Sequence, residues 1–266
     1  MPEDRLLSGE RYELHRFHSA ILEDDRSVGV YLPKIYRETS ERRFPVFYLH
    51  DGQNVFDGRT SYIPGCTWRA HTTADDLVEA GAIQPVILVG VANTGLRRMA
   101  EYTPTSDFKL GGGDGKSYAR LLIEELKPLI DDRYRTLLGP TDTGLGGSSL
   151  GGLISLYIGL KHPETFGRLA VMSPSLWWDH RSMLNFVARV EARPEMKMQM
   201  KIWMDMGTAE GARHLRDADL LYRTLLQHGW NAGQNLSYSR VEGGLHNEEA
   251  WARRFGDVLR FLFPPL

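Results

Sequence analysis

The chain has 266 residues, and its 32 basic and 34 acidic side chains give a formal net charge of −2 at pH 7. A nucleic-acid-binding protein usually carries a basic excess, so this balance argues against that class. The single cysteine, Cys66, excludes an internal disulfide framework and a thiolate-rich zinc site.

The N-terminal segment predicts no targeting signal. Residues 1–10, MPEDRLLSGE, are acidic and lack the apolar region of a signal peptide. The longest run of small and apolar residues, 85–92, is too short to cross a bilayer. No repeat or Pro/Ser-rich linker divides the chain, so we expect one domain over residues 1–266, in the cytoplasm and without a membrane partner.

Strand and helix patterns alternate along the chain. Strands are predicted at 11–18, 27–32, 44–50, 85–91, 143–147, 169–172, 202–206 and 235–241. Helices are predicted at 72–80, 117–130, 149–161, 218–228 and 248–263. The alternation predicts an α/β fold, a three-layer sandwich with a mainly parallel central sheet. The first two strands should form an antiparallel edge.

The glycine-rich segment 146–152, GGSSLGG, contains the pattern G-x-S-x-G with Ser149 at its centre. A nucleophilic serine on a tight strand-to-helix turn has a strained backbone, and small residues two positions away on either side let the turn close. The following helix points its N-terminus at the serine, so the Leu150 N–H can donate to an oxyanion. We predict Ser149 as a nucleophile; the alternative is a structural turn with a helix-capping serine.

A serine hydroxyl needs a base to take its proton. In serine hydrolases with a strand–turn–helix nucleophile, the acid and the histidine follow the serine in the chain. The histidines in that part of the sequence are His162, His180, His214, His228 and His246. His246 lies in a loop between the last predicted strand and the last predicted helix, at the edge of the sheet where active sites gather. We therefore predict His246 as the base.

The acid should hydrogen-bond the other ring nitrogen of the histidine. Asp205 lies within the predicted strand 202–206, and Glu210 lies just beyond it in the loop 207–211. A residue just past the carboxyl end of a strand is better placed, so Glu210 is favoured. Asp205 stays open as a structural or catalytic alternative, with Asp179 a more distant one.

A second oxyanion donor should come from the loop after the strand 44–50. That loop reads HDGQN, and we predict the Gln53 N–H as the donor, with Gly52 as the alternative. An ordinary Asp-Gly turn is the structural interpretation.

Three further side chains are candidates for binding substrate. Trp177 and Trp178 follow the strand after the nucleophile helix and are expected to line the cleft, although core packing for one and a surface lid for the other is the alternative. Arg98 lies beyond the strand 85–91, where it would bind substrate or pair with Glu101.

Together these motifs resemble the putative esterase family of α/β-hydrolases, which includes esterase D, feruloyl and acetylxylan esterases and enterochelin esterases. The resemblance is carried by YLHDGQNVFD (48–57), RMAEYTP (98–104), GSSLGG (147–152), SPSLWW (173–178), GTAE (207–210) and His246. These segments span nearly the whole chain from Val30 onward. The resemblance implies a Ser–acid–His hydrolase without metal or cofactor. Many relatives carry aspartate where Glu210 stands. This departure bears on which residue is the acid and not on the mechanism.

The predicted function is hydrolysis of a carboxylic ester by a serine nucleophile through an acyl-enzyme, on a small-molecule substrate and without a nucleic-acid partner. An acyltransferase of the same fold and a non-catalytic ligand-binding homologue are the alternatives. The sequence leaves open the oligomeric state and the ester itself, which could be an aryl ester of a sugar, an acetylated glycan, a siderophore lactone or a small lipid.

Overall fold

The computed structural model describes residues 12–190 and 199–266. Its strands are β1 (Tyr12–Ser19), β2 (Asp24–Tyr31), β3 (Val46–His50), β4 (Ile87–Val91), β5 (Ser106–Asp107), β6 (Gly111–Gly112), β7 (Thr143–Ser148), β8 (Arg168–Met172), β9 (Lys201–Gly207) and β10 (Leu236–Val241). Within the described residues, eight strands form a sheet in the order β1-β2-β4-β3-β7-β8-β9-β10, and β5 pairs with β6 in a small hairpin.

Helices cover both faces of this sheet. They are α1 (Ala70–Glu79), α2 (Arg98–Glu101), α3 (Gly115–Arg120), α4 (Lys127–Arg133), α5 (Leu150–Lys161), α6 (Ser182–Arg189), α7 (Ala212–Gln227) and α8 (Glu248–Leu262), with a π-helical turn at Leu121–Leu126. Side chains of α1 and α8 pack on one face, and side chains of α3 to α7 pack on the other. The predicted three-layer α/β sandwich is therefore confirmed.

Strand direction also follows the prediction. β1 pairs antiparallel with β2, and β2 pairs antiparallel with β4. In the rest of the large sheet, β4-β3-β7-β8-β9-β10, all neighbouring strands pair parallel. Every residue of β3 and β4 is buried, as expected for β-branched and aromatic strands covered on both faces.

Some elements differ from the sequence prediction. The first predicted strand began at Arg11, which lies outside the described residues. α7 begins at Ala212, six residues before the predicted start, because its first turns carry polar side chains that give no apolar periodicity. The sequence also gave no signal for the β5–β6 hairpin, whose two-residue strands are too short for an alternating pattern.

The parallel strands direct their carboxyl ends to one edge of the sheet. The segments that follow β3, β7, β8, β9 and β10 therefore meet at that edge. Among the described residues no helix combines the length and hydropathy needed to cross a membrane.

Candidate active site

Ser149 lies on the turn between β7 and α5. Its backbone dihedral angles, φ 60° and ψ −122°, are sparsely populated for a residue other than glycine. Its N–H donates to the Met172 carbonyl at 3.0 Å, and its own carbonyl accepts the Ser175 N–H at 3.0 Å. Both bonds tie the strained turn to β8 and the segment after it, so the structure holds Ser149 in a conformation that an isolated chain would avoid.

The glycines around Ser149 are required by close packing. A Cβ on Gly147 would lie 3.1 Å from the backbone of Gly151 and 3.0 Å from the Cβ of His50. A Cβ on Gly152 would lie 2.8 Å from the Met172 carbonyl oxygen. Gly147 and Gly152 thus let the turn pack between β3 and β8.

Glu210 and His246 are in direct contact. Oε2 of Glu210 lies 2.7 Å from Nδ1 of His246, and Oε1 accepts the Ser173 hydroxyl at 2.6 Å and the Gly207 N–H at 2.8 Å. Burial raises the pKa of Glu210, but hydrogen bonds from His246, Ser173 and Gly207 outweigh it and hold that pKa below its usual range. An ionised carboxylate only accepts, so Nδ1 carries the ring hydrogen and Nε2 is left to accept a proton.

The two ends of this pair differ in exposure. The Glu210 side chain is 2% exposed, whereas the His246 side chain is 46% exposed. The carboxylate is therefore a fixed, buried anchor, and the imidazole reaches from it toward solvent.

Asp205, the alternative acid, points elsewhere. It is buried within β9 and accepts hydrogen bonds from Trp203 Nε1 at 2.9 Å, Arg254 Nη1 at 2.9 Å and the Ser173 N–H at 3.1 Å. Burial raises the pKa of Asp205, against the opposing effect of Arg254. Among the described residues no hydrogen bond joins His246 to Asp205 or to Asp179, so these carboxylates do not orient the imidazole.

Ser149, Glu210 and His246 line one cavity of about 300 Å³ at the carboxyl edge of the sheet. The other lining residues are Ser173, Pro174, Ser175, Trp177, Met206 and His214. Ser149 Oγ lies 3.1 Å from Ser175 Oγ, and within the described part of the chain it has no hydrogen bond to His246. The three predicted residues thus share a cavity, with the serine hydroxyl paired to a neighbouring serine.

The two predicted oxyanion donors lie on turns at the same edge. Leu150 is the first residue of α5, so its N–H has no acceptor within the helix. Gln53 lies in a 3₁₀ turn, Gly52–Asn54, directly after β3 and the left-handed residue Asp51. Neither Gln53 nor Leu150 belongs to the lining residues of the cavity.

Arg98 holds the loop that carries Gln53 through an ion pair with Asp51. The Asp51 carboxylate receives both Arg98 Nε and Nη2 at 2.7 Å, and Asn93 Nδ2 at 2.6 Å. The Asp51 N–H donates to the Tyr102 hydroxyl at 3.1 Å. Arg98 was predicted to bind substrate or to pair with Glu101; its guanidinium pairs with Asp51, and it is not among the lining residues of the cavity. Nor does it pair with Glu101, which binds Arg26 instead.

The two tryptophans have different places. Trp177 is 36% exposed and lines the cavity. Trp178 is 1% exposed, and its Nε1 donates to the Thr105 carbonyl at 2.9 Å. A Cβ on Gly112 would lie 2.6 Å from the Trp178 ring, so this ring packs against the β5–β6 hairpin. The expectation that Trp178 lines the cleft is corrected, because its indole belongs to the core.

Sequence reasoning assigned no role to Ser173 and Ser175 in the segment after β8, nor to Arg254 in α8. Ser173, with a φ of 41°, donates to Glu210 and accepts the Trp251 Nε1–H at 2.9 Å. Arg254 Nη2 lies 3.3 Å from the same hydroxyl and 3.6 Å from Glu210 Oε1. Polar residues immediately after a buried strand were a usable signal for Ser173 and Ser175, whereas Arg254 sits in an ordinary amphipathic helix pattern that carries no such signal.

Metal-binding side chains do not gather in the part of the chain that the structure describes. Over residues 12–190 and 199–266, no group of three or more His, Cys, Asp or Glu side chains is arranged to hold a metal ion.

Comparison with known proteins gives relatives over almost the whole chain. The family model described as "Putative esterase" matches residues 19–262. The chain is 25% identical over 252 residues to the uncharacterized protein YbbA of Bacillus subtilis, covering 90% of this chain and 93% of that protein. It is 26% identical over 259 residues to the iron(III) enterobactin esterase of Dickeya dadantii, covering 91% of this chain and 52% of that enzyme.

A solved structure supports the fold. The BES protein from Bacillus cereus matches with a TM-score of 0.77 at 22% sequence identity, covering 99% of this chain and 98% of that one. The chain thus spans nearly all of YbbA and of this structure, but about half the length of the Dickeya enzyme.

Proposed function

Because this chain belongs to the putative esterase family and is an esterase of the α/β-hydrolase type, we propose that it hydrolyses carboxylic esters through an acyl-enzyme, with Ser149, His246 and Glu210 as a catalytic triad. The observation that carries the proposal is the 2.7 Å contact between Glu210 and His246 in a cavity that Ser149 also lines. A strained, glycine-flanked serine that shares a cavity with an oriented imidazole supports nucleophilic catalysis.

The first half of the reaction forms the acyl-enzyme. Ser149 Oγ attacks the ester carbonyl while its proton passes to His246 Nε2. The N–H groups of Leu150 and Gln53 donate to the resulting oxyanion. Glu210 stays ionised and stabilises the imidazolium, which then protonates the departing alkoxide to release the alcohol.

The second half releases the acid. A water molecule attacks the acyl carbonyl and gives its proton to His246 Nε2. The tetrahedral intermediate collapses, the Ser149 oxygen leaves, and the imidazolium returns the proton to it. Membership of the putative esterase family supports hydrolysis rather than acyl transfer, and product analysis with competing alcohol or amine acceptors separates the two reactions.

The cavity wall supports an aryl or other apolar acyl group on a small-molecule ester. Trp177 presents a partly exposed indole to the cavity, and Met206 adds an adaptable thioether. Feruloyl and catecholate esters fit this description better than acetylated glycans, because an aromatic group offers more apolar area to the indole than an acetyl group does. Rates on feruloyl, catecholate and acetyl-sugar esters, measured side by side, would rank these classes.

The triad is tested with Ser149→Ala. We expect kcat/KM on a short p-nitrophenyl ester to fall by about 10⁴-fold or more and labelling by a fluorophosphonate to disappear. The matched control is Ser148→Ala, which removes the neighbouring buried hydroxyl at the end of β7 and should keep both activities. A Ser149→Ala protein that hydrolyses the ester at the wild-type rate would refute the proposal.

A further inference from the structure

Ser175 is bonded to Ser149 at two points. The Ser175 N–H donates to the Ser149 carbonyl at 3.0 Å, and the two Oγ atoms are 3.1 Å apart. Ser175 is 3% exposed, yet it lines the same cavity as Ser149 and His246. The backbone hydrogen bond fixes the separation of the two residues. Because Ser175 is also buried, the fold keeps the two hydroxyls close together.

The segment that carries Ser175 is itself rigid. Ser173 enters it with a φ of 41°, Pro174 restricts the next dihedral angle, and the Ser175 carbonyl accepts the Trp178 N–H at 3.1 Å. The Ser173 hydroxyl donates to Glu210 at 2.6 Å. Residues 173–175 thus connect the carboxylate at one end of the proposed triad to the serine at the other.

The direction of the hydrogen bond between the two hydroxyls decides its effect. Each serine hydroxyl has one hydrogen to donate and lone pairs to accept with. If Ser149 donated to Ser175, its hydrogen would be directed away from His246. If Ser175 donates, the hydrogen of Ser149 is free to point at the imidazole, and the bond strengthens as negative charge develops on Ser149 Oγ.

We propose that Ser175 is a further catalytic residue. Its hydroxyl donates a hydrogen bond to Ser149 Oγ while that oxygen loses its own proton to His246. The proposal rests on the triad proposed above. No bond to Ser175 forms or breaks, and its proton stays in place throughout. The same bond acts again when the Ser149 oxygen leaves the acyl group, so both halves of the reaction are accelerated.

The test is Ser175→Ala, with the fluorophosphonate labelling rate and kcat/KM measured across pH. A hydrogen bond to a charged oxygen is worth enough that both rates should fall by about 10- to 100-fold. Ser175→Thr keeps the hydroxyl and should lose less than Ser175→Ala. The matched control is Ser155→Ala, because the Ser155 hydroxyl is also buried but donates to the Gly151 carbonyl within α5; its rates should equal those of the wild type.

Several results would overturn the role of Ser175. One is labelling of Ser175→Ala as fast as, or faster than, that of the wild type, since Ser149 would then not depend on a donor there. Another is equal losses in Ser175→Ala and Ser175→Thr, which would show that shape matters and not the hydroxyl. A lower melting temperature with unchanged labelling of the folded protein would assign Ser175 a purely structural role. If Ser149→Ala loses labelling while Ser175→Ala does not, the triad stands and only this inference fails.

Discussion

Replacing Glu210 by glutamine should lock His246 in the wrong tautomer. Glu210 Oε1 accepts the Gly207 N–H at 2.8 Å as well as the Ser173 hydroxyl, and a backbone N–H can only donate. The amide oxygen of glutamine must therefore take the Oε1 position. Its NH₂ group then faces His246 Nδ1, where the carboxylate oxygen lies at 2.7 Å. The ring would present the Nδ1 lone pair to this donor and carry its hydrogen on Nε2, where it blocks proton transfer from Ser149.

The size of the effect follows from the tautomer. An amide in place of the triad carboxylate of a serine protease lowers kcat by about 10⁴-fold through the same tautomer change. At about 1.4 kcal/mol per tenfold, that is about 5.5 kcal/mol of lost transition-state stabilisation. We expect Glu210→Gln to lower kcat on a p-nitrophenyl ester by about 10⁴-fold, whereas Glu210→Asp, which keeps the charge, should lose less.

Two measurements check this reasoning. Ester hydrolysis gives the rate, and ¹⁵N NMR of the His246 ring shows which nitrogen carries the hydrogen: Nδ1 in the wild type and Nε2 in Glu210→Gln. The comparison variant is Asp205→Asn, which removes the carboxylate that Arg254 Nη1 contacts at 2.9 Å and leaves Glu210 Oε1, 3.6 Å from Arg254 Nη2, as the charged neighbour of the guanidinium. That variant should lose stability, because the buried guanidinium loses its nearest counter-charge, but keep more activity per folded molecule than Glu210→Gln.

The reasoning would be refuted by a Glu210→Gln enzyme within tenfold of the wild type, or by a His246 ring that keeps its hydrogen on Nδ1. A larger loss of activity per folded molecule in Asp205→Asn would also refute it, since Asp205 would then be the acid.

Two further predictions concern the residues behind the oxyanion loop. Burial lowers the pKa of His50 from 6.5 to about 3, so the folded protein keeps this ring neutral while the unfolded chain protonates it below its ordinary pKa. This contribution to stability is present above pH 6.5 and is lost as the pH falls. Between pH 7 and pH 5 the wild type should therefore lose about 2 kcal/mol of unfolding free energy relative to His50→Asn. Urea denaturation that gives both proteins the same dependence of stability on pH would contradict this prediction. Arg98→Gln should lower kcat by about 10- to 100-fold, because the loop held through Asp51 carries a proposed oxyanion donor. Arg97→Gln, which removes a more exposed neighbour bonded to Leu22 and Asp24, is the control that should keep wild-type kcat, and equal rates in the two variants would contradict the role of Arg98.

Local patterns were enough to predict the sheet and the turn that carries Ser149. Buried strands such as β3 and β4 are continuous apolar runs, and a strand followed by G-x-S-x-G and a helix has few ways to fold. The parallel topology then directs the loops that carry Glu210 and His246 to one edge, because each of these loops follows the carboxyl end of a strand. These inferences need only neighbouring residues and the general rules of α/β folds.

Side-chain partners were decided by the tertiary structure alone. Asp205 and Glu210 are five residues apart and chemically similar, and what separates them is that one faces Arg254 and the other His246. In the sequence, nothing pairs Arg98 with Asp51. In the structure β3 lies next to β4, and Asp51, which follows β3, accepts a hydrogen bond from Arg98. The two tryptophans differ only in that the β5–β6 hairpin covers Trp178. The sequence by itself determined which segments reach the carboxyl edge of the sheet, because the alternation of strands and helices implies parallel strands, whose carboxyl ends lie at one edge. Which side chain binds which partner there depends on contacts between residues dozens of positions apart, and no local pattern records those contacts.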